Sequence, residues 1–252
     1  MSSPISAIMI VLNGARHLPA SLPPLVAACA EVLVLDSGST DGSQELARTL
    51  GARVEHQDFL GFGPQKRCAT ALARHDWVLS IDADEVLDAE AARSLAGLEL
   101  SDARRAFRVR RRNHIGTREV RHGAWNPDWC LRLFNRTLSG FSADQVHEAV
   151  RHAGPVATLP GSLLHYGYAD LAEVFTRCGG YARLKAARYR ASGRRAGAAV
   201  LALRAATAFT KSYVVKLGAL DGAAGLVVAL STAVDAVVPL ALASETPSSD
   251  AP

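Results

Sequence analysis

From Ile5 to Leu12 the chain carries an apolar run rich in isoleucine and valine. Such a run suits a strand covered on both faces, as in a parallel sheet. Asn13-Gly14 breaks it. Pro19 to Ala30 has helical composition, interrupted by Pro23-Pro24, and Glu31-Val-Leu-Val-Leu-Asp36 reads as a second buried strand. Strand, helix and strand together predict a βαβ unit. Ser37-Gly-Ser-Thr-Asp-Gly42 is then a tight turn, and Leu46, Ala47 and Leu50 share one face of a short helix closed by Gly51. Arg53 to His56 is a third strand. Gly61-Phe-Gly-Pro64 launches another helix with Pro64, Lys66 and Arg67 in its first turn and an apolar stripe of Cys68, Ala69, Leu72 and Ala73. Trp77 to Ile81 is a fourth strand, ending in Asp82-Ala-Asp84-Glu85.

In an open α/β sheet, ligands collect beyond the carboxyl ends of the strands. Asn13, Asp36 and Asp82 to Asp84 are therefore expected to face one crevice. The middle of the chain, from about Ala106 to Val150, alternates strand-like and loop-like pieces around Gly123-Ala-Trp-Asn-Pro-Asp128 and Leu131-Arg-Leu-Phe134, and is expected to close that crevice. Beyond Tyr166 the sequence becomes Ala/Arg-rich and helical. Two apolar segments follow, Ala196 to Leu220 and Ala223 to Ala243, and the tail from Ser244 to Pro252 has no apolar periodicity.

Composition sharpens this picture. With 252 residues, one α/β domain plus an appendage fits, and 49% apolar against 21% charged residues leaves room for both a core and membrane contact. Cys29, Cys68, Cys130 and Cys178 form no Cys-x-x-Cys pair, which excludes a zinc ribbon or a redox motif and leaves reduced core residues as the expectation. Met1-Ser-Ser-Pro enters the first apolar run without a basic region or a cleavage site, so the expectation is a cytoplasmic protein rather than a secreted one. The net charge of +4 is unevenly spread. Between Val174 and Leu220 lie Arg177, Arg183, Lys185, Arg188, Arg190, Arg194, Arg195, Arg204, Lys211 and Lys216, without one acid. A block of that kind attracts phosphate groups.

Asp82-x-Asp84 is the most informative short motif, because two carboxylates at the end of a buried strand can share a divalent cation with a diphosphate. Mg²⁺ and Mn²⁺ take few protein oxygens when phosphate supplies the rest. Asp88 and Glu90 belong on the solvated side of the next helix. Asp36 can accept hydrogen bonds from a base or ribose, or cap its own turn; both can hold together. Lys66 and Arg67 oppose the helix macrodipole, which a nearby anion would offset.

The ordered set of the first strand with Asn13, Val-Leu-Asp36-Ser-Gly-Ser-Thr-Asp41-Gly, Gly-Phe-Gly-Pro-Gln-Lys66-Arg and Leu-Ser-Ile-Asp82-Ala-Asp84-Glu85 resembles the nucleotide-sugar-binding half of glycosyltransferase family 2. Later pieces resemble the lipopolysaccharide core-biosynthesis branch of that family: Pro127-Asp-Trp-Cys-Leu-Arg-Leu-Phe134, Val-His147-Glu148, Leu-Leu-His165-Tyr-Gly-Tyr168 and Lys216 to Gly222. One departure stands out: members commonly carry an acid after the first-strand Asn, where this chain has Gly14.

The resemblance implies an α/β, Rossmann-like GT-A fold with a membrane-associating helical extension. It implies a catalytic domain over 1–168, split into a nucleotide-sugar half (1–95) and an acceptor half (96–168), a basic and apolar extension over 169–243, and a flexible tail over 244–252. It also implies inverting, metal-dependent transfer of a hexose from a nucleotide-sugar such as a UDP-sugar to a lipid-linked saccharide. The cofactor would be Mn²⁺ or Mg²⁺, bound through Asp84 and either His165 or His147. Asn13, Asp36, Lys66 and Asp82 would hold the donor. Glu148 is the first choice for the general base and Asp128 the reserve. An anionic membrane surface is the expected second partner, at the inner face of the cell membrane, and nucleic acid is not expected. The aspartates and apolar lengths also admit a sugar nucleotidyltransferase or a non-catalytic membrane-bound binding protein. The former would show a Gly/Arg/Lys-rich loop where this chain has Asn13-Gly-Ala-Arg16.

Overall fold

The computed structural model describes residues 3–142 and 149–245. In chain order the elements are β1 (Ser3–Val11), α1 (Leu18–Ala28), β2 (Cys29–Asp36), α2 (Ser43–Thr49), β3 (Arg53–His56), α3 (Phe62–Leu72), β4 (Trp77–Ser80), β5 (Glu85–Leu87) and α4 (Ala89–Ala96). There follow β6 (Ala106–Ile115), β7 (Arg118–Glu119), β8 (Asp128–Asn135), β9 (Gly140–Phe141), β10 (Val150–Arg151), β11 (Val156–Tyr168), α5 (Leu171–Ala191), α6 (Ala198–Thr210) and α7 (Ala223–Ser244). By internal packing the chain divides into two compact units, Met1–Arg112 with Asp128–His165, and Asn113–Pro127 with Tyr166–Pro252.

The first unit is built on a mixed sheet. β3, β2, β1 and β4 run parallel in that order, and β8 joins β4 antiparallel, opening the half formed by β8, β6, β11 and β5. The period of two along the central strands explains why they are apolar throughout. Ile5, Ala7, Met9 and Val11 of β1, with Val32 and Val34 of β2, face a core closed by Leu18, Leu22 and Leu25 of α1 and Leu95 of α4. Ile8 of β1, with Leu33 and Leu35 of β2, faces the other way, against Ala69 of α3, Val78, Phe134 and Phe141. Both faces are covered, so no position can be polar without a partner. Ser6 and Glu31 obey this rule. Both are buried, the serine hydroxyl donates to the glutamate, and Arg53 closes the charge at 2.8 Å.

Two local expectations change. α1 runs unbroken through Pro23 and Pro24, because Leu18, Leu22 and Leu25 anchor it to the sheet on every turn and outweigh two missing N–H donors. α3 starts at Phe62, so Pro64 still lies in the first turn but Lys66 falls in the second. In addition, Asp88 is not a solvated helix residue: it is the N-cap of α4, accepting a hydrogen bond from Ala91 N at 2.8 Å.

The second unit is helical, with a small core of Ile115, Val120, Val174, Ala224 and Val228. Its turn between apolar segments is tightly made. Asp221 accepts from the backbone of Arg121 (2.9 Å) and His122 (2.7 Å), and Lys216 donates to Asn126 O at 3.2 Å. A π-helical turn, Lys211–Val215, and a 3-10 turn, Gly218–Asp221, lead into α7. α7 starts so close to the second turn that a Cβ on Gly225 would lie 1.7 Å from Gly218 O, so only glycine fits there. Ala198–Val215 and Ala223–Ser244 are long and apolar enough to cross a membrane by length and composition.

Candidate active site

The residues that the sequence analysis singles out gather at the carboxyl ends of β1, β2 and β4. Asn13 follows β1 in a left-handed conformation (φ 53°) and stitches its loop to the next one. Its side chain accepts from Thr40 N at 2.9 Å, and its own N–H donates to Ser39 Oγ at 2.8 Å. Gly14 N and Ala15 N donate to Ser43 and Asp41 of the same second loop. Gly14 also fits its place sterically, since a Cβ there would come within 3.0 Å of Val11 Cγ1.

Asp36 ends β2 fully buried and is spent on its own turn, accepting from Gly38 N and Ser39 N at 2.9 Å each, from Gln44 Nε2 at 2.8 Å and from the Ser39 hydroxyl. Burial alone would raise its pKa, but these donors, led by Ser39, hold it below the usual carboxylate value. In this geometry Asp36 sets the shape of the 37–42 loop.

Asp82 lies between two cations. Lys66 Nζ stands 2.9 Å from Oδ1 and Arg132 Nη2 stands 2.8 Å from Oδ2. Both cationic side chains are buried, and Lys66 also sits over the Phe141 ring, 5.6 Å from its centroid. Burial opposes the charged form of Asp82; Arg132 first and Lys66 second overcome it and depress its pKa strongly. Arg132 reaches from Asp82 to Glu85, which is fully buried, and Arg111 approaches Glu85 at 3.3 Å and Asp128 at 2.8 Å. Glu85 closes the turn by accepting from Asp82 N at 3.1 Å.

Among the described residues, Asp82, Glu85 and Asp128 thus stand against Lys66, Arg111 and Arg132, three negative charges against three positive. Asp84 lies outside this balance. Its Oδ2 is 3.5 Å from His165 Nε2, which β11 delivers by pairing His165 with Glu85 of β5. Burial would raise the Asp84 pKa; the hydrogen bond and charge of His165 outweigh that and lower it. A carboxylate oxygen from the turn before β5 and an imidazole nitrogen on β11 fit a divalent cation as two ligands. No group of three or more His, Cys, Asp and Glu suited to a metal occurs among the described residues, so a cation here would need further oxygens from its substrate.

Asp128, the reserve base, is held by Arg111, and Cys130 beside it has its thiol pushed up to about 11, chiefly by burial. Glu148 and His147 lie outside the described residues. Arg132, Arg111 and Glu85 have no assigned role in the sequence analysis. Their signal is present, however. Arg132 interrupts the apolar Leu131-Arg-Leu-Phe134 at a position pointing inward, and a buried guanidinium needs a buried carboxylate.

Residues 6–153 match the Glycosyl transferase family 2. Over 209 residues the chain is 32% identical to the lipopolysaccharide core biosynthesis glycosyltransferase LpsC of Rhizobium meliloti (strain 1021), covering 76% of this chain and 74% of that one. An uncharacterized glycosyltransferase of Rickettsia bellii (strain RML369-C) is 28% identical over 197 residues, 72% of this chain and 66% of the relative. Among solved structures, S. aureus TarS 1-349 overlaps 66% of this chain and 60% of its own at 15% identity, with a TM-score of 0.46. The family match takes in every strand of the parallel sheet beyond the first residues of β1, together with Asp82, Asp84 and Arg132, and LpsC is similar well past it. This chain belongs to glycosyl transferase family 2, has the GT-A fold, and is a glycosyltransferase similar to those of lipopolysaccharide core biosynthesis.

Proposed function

We propose that the protein transfers a sugar, with inversion, from a UDP-sugar to a lipid-linked saccharide at the cytoplasmic face of a membrane. The observation that carries the donor half is the pairing of Asp84 with His165 just past β4, beside an Asp82 that Lys66 and Arg132 already hold. A divalent cation held by Asp84 and His165 would supply Lewis-acid neutralisation of the leaving diphosphate. Lys66 and Asp82 then line the phosphate side, while Asn13 and the loop shaped by Asp36 present hydrogen-bonding groups to the nucleoside. The domain reading follows the same lines, with 1–168 catalytic and 169–243 turned to the membrane. Incubating the protein with Mn²⁺ or Mg²⁺ and a panel of nucleotide sugars, and following donor hydrolysis, tests this. Hydrolysis of no sugar nucleotide in either metal would count for a non-catalytic binding protein, and release of pyrophosphate from a nucleoside triphosphate for a nucleotidyltransferase.

Glu148 is the proposed general base, because Asp128 already has its carboxylate engaged by Arg111 at 2.8 Å. Glu148→Gln should lower the transfer rate on the order of 10²-fold or more with donor binding little changed, as expected for a lost base. Were Asp128→Asn to show that pattern and Glu148→Gln not, the assignment would be reversed.

Membrane contact rests on the second unit. Val214, Val215, Leu217 and Leu220 are 60%, 70%, 54% and 67% exposed across the two turns that lead into α7. Arg183 and Lys211 lie exposed on the same unit. Apolar side chains that insert and cations that meet anionic head groups act together, and salt weakens only the second. The full-length protein should sediment with anionic vesicles and be released only in part by high salt, and Val215→Asp with Leu220→Asp should release it further. A protein that stays in the supernatant at low salt would show that these helices are a packed hairpin.

A further inference from the structure

A cleft of ≈ 560 Å³ opens in the first unit, between the outer face of α3 and the hairpin of β9 and β10. This volume is in the range of small-molecule pockets. Arg67, Arg136 and Arg151 line it with Thr70, Thr137 and Ser139, and no acid does. Arg136 is already committed: it donates to the carbonyls of Thr70, Ala71 and Ala73 at the end of α3 and to Asp76. The exposed guanidinium groups of Arg67 and Arg151 meet no carboxylate among the described residues. Arg67 and Arg151 thus bring two like charges to one cleft, and an anion bound there would offset them.

The rest of the lining suits a sugar. Thr70 Oγ1 donates inward to Lys66 O at 2.7 Å and Thr137 Oγ1 to Asn135 at 2.6 Å, so each keeps an oxygen able to accept from a hydroxyl in the cleft. Phe141 links the cleft to the donor site, since its ring lies under Lys66, whose Nζ pairs with Asp82. β9 and β10 are also the two stems from which the segment carrying Glu148 departs.

We propose that this cleft is an anion subsite for the acceptor, in which Arg67 and Arg151 take a phosphate or carboxylate borne by the acceptor saccharide. This rests on the reading above that the acceptor is a saccharide, and deepens it by making that saccharide acidic. Both arginines are exposed, so Arg67→Gln with Arg151→Gln should leave the fold intact, as a thermal melt would verify.

The test is calorimetric titration of the full-length protein, with UDP and Mg²⁺ saturating the donor site. The probes are glucose 6-phosphate, glucuronate, glucose and inorganic phosphate. At least one acidic sugar should bind while glucose does not, and the double variant should weaken that binding by about tenfold or more with UDP affinity within twofold of the parent. Preference for glucose 6-phosphate or for glucuronate names the anion as phosphate or carboxylate. The proposal is overturned if neither acidic sugar binds, if the double variant binds as the parent does, or if inorganic phosphate matches glucose 6-phosphate, which marks an adventitious ion only. A protein that binds acidic sugars here yet hydrolyses no UDP-sugar would refute the donor reading and leave the cleft standing.

Discussion

Asp84→Ala should abolish metal-stimulated transfer while the protein keeps its fold. The side chain removed is partly exposed and fills no core volume, and the buried cluster beside it stays neutral because Asp84 is not counted in it. What is lost is the oxygen ligand facing His165, leaving an imidazole that cannot hold Mg²⁺ or Mn²⁺ by itself. Turnover measured across a manganese titration should fall to the level seen with chelator, with an unchanged thermal melt. A variant that retains near-parental turnover in manganese would remove Asp84 from the metal site. By contrast, Asp82→Ala should lower both turnover and stability, since Lys66 and Arg132 would each lose a partner while buried.

Arg132→Met should produce the largest loss of stability of any single change at the site. Arg132 bridges Asp82 at 2.8 Å and the fully buried Glu85, so its removal leaves Glu85 with the Asp82 N–H and, among the described cations, only Arg111 at 3.3 Å. Stranding one member of a buried pair typically costs about 3–5 kcal/mol. At roughly 2–4 °C per kcal/mol for a chain of this size, the melt should fall well outside experimental error. The cause can be separated from mere loss of volume by a cycle. Adding Glu85→Gln removes the stranded charge, so the double variant should recover part of the stability lost by Arg132→Met. Strict additivity of the two losses would show that the bridge is not what holds this end of β8.

These two residues differ in how far the chain's own pattern announces them. Asp84 is legible because a strand as apolar as Trp77–Ile81 has no packing reason to end in two aspartates. β1, β2 and β4 are legible for the same reason, being covered on both faces, whereas the edge strand β3 is only half-buried. Arg132 is quoted only as part of Leu131-Arg-Leu-Phe134: an arginine among apolar residues reads as well as the exposed side of an amphipathic strand as the inward side of a buried one. Which it is depends on Glu85 and Asp82 lying across the sheet, 47 and 50 positions earlier. The expected interruption of α1 fails for a related reason. Pro23 and Pro24 argue against a helix locally, and only the sheet beneath Leu22 and Leu25 decides otherwise. Asp36 suits either a ligand or its own turn by sequence, and its bonds to Gly38 N, Ser39 N and Gln44 Nε2 form the turn.

The neutral cluster next to Asp84 also bears on the order of events in a catalytic cycle. On the proposed assignment, a bare cation meets one carboxylate and one imidazole, too few to replace the water it would have to shed. A nucleotide-sugar arriving without a cation brings its diphosphate toward the Asp84 carboxylate, which pairs with no lysine or arginine among the described residues. Each is a poor visitor by itself, and the two as a chelate satisfy the site at once. On that assignment, metal and donor would load together, and a metal–nucleotide product would leave the same way.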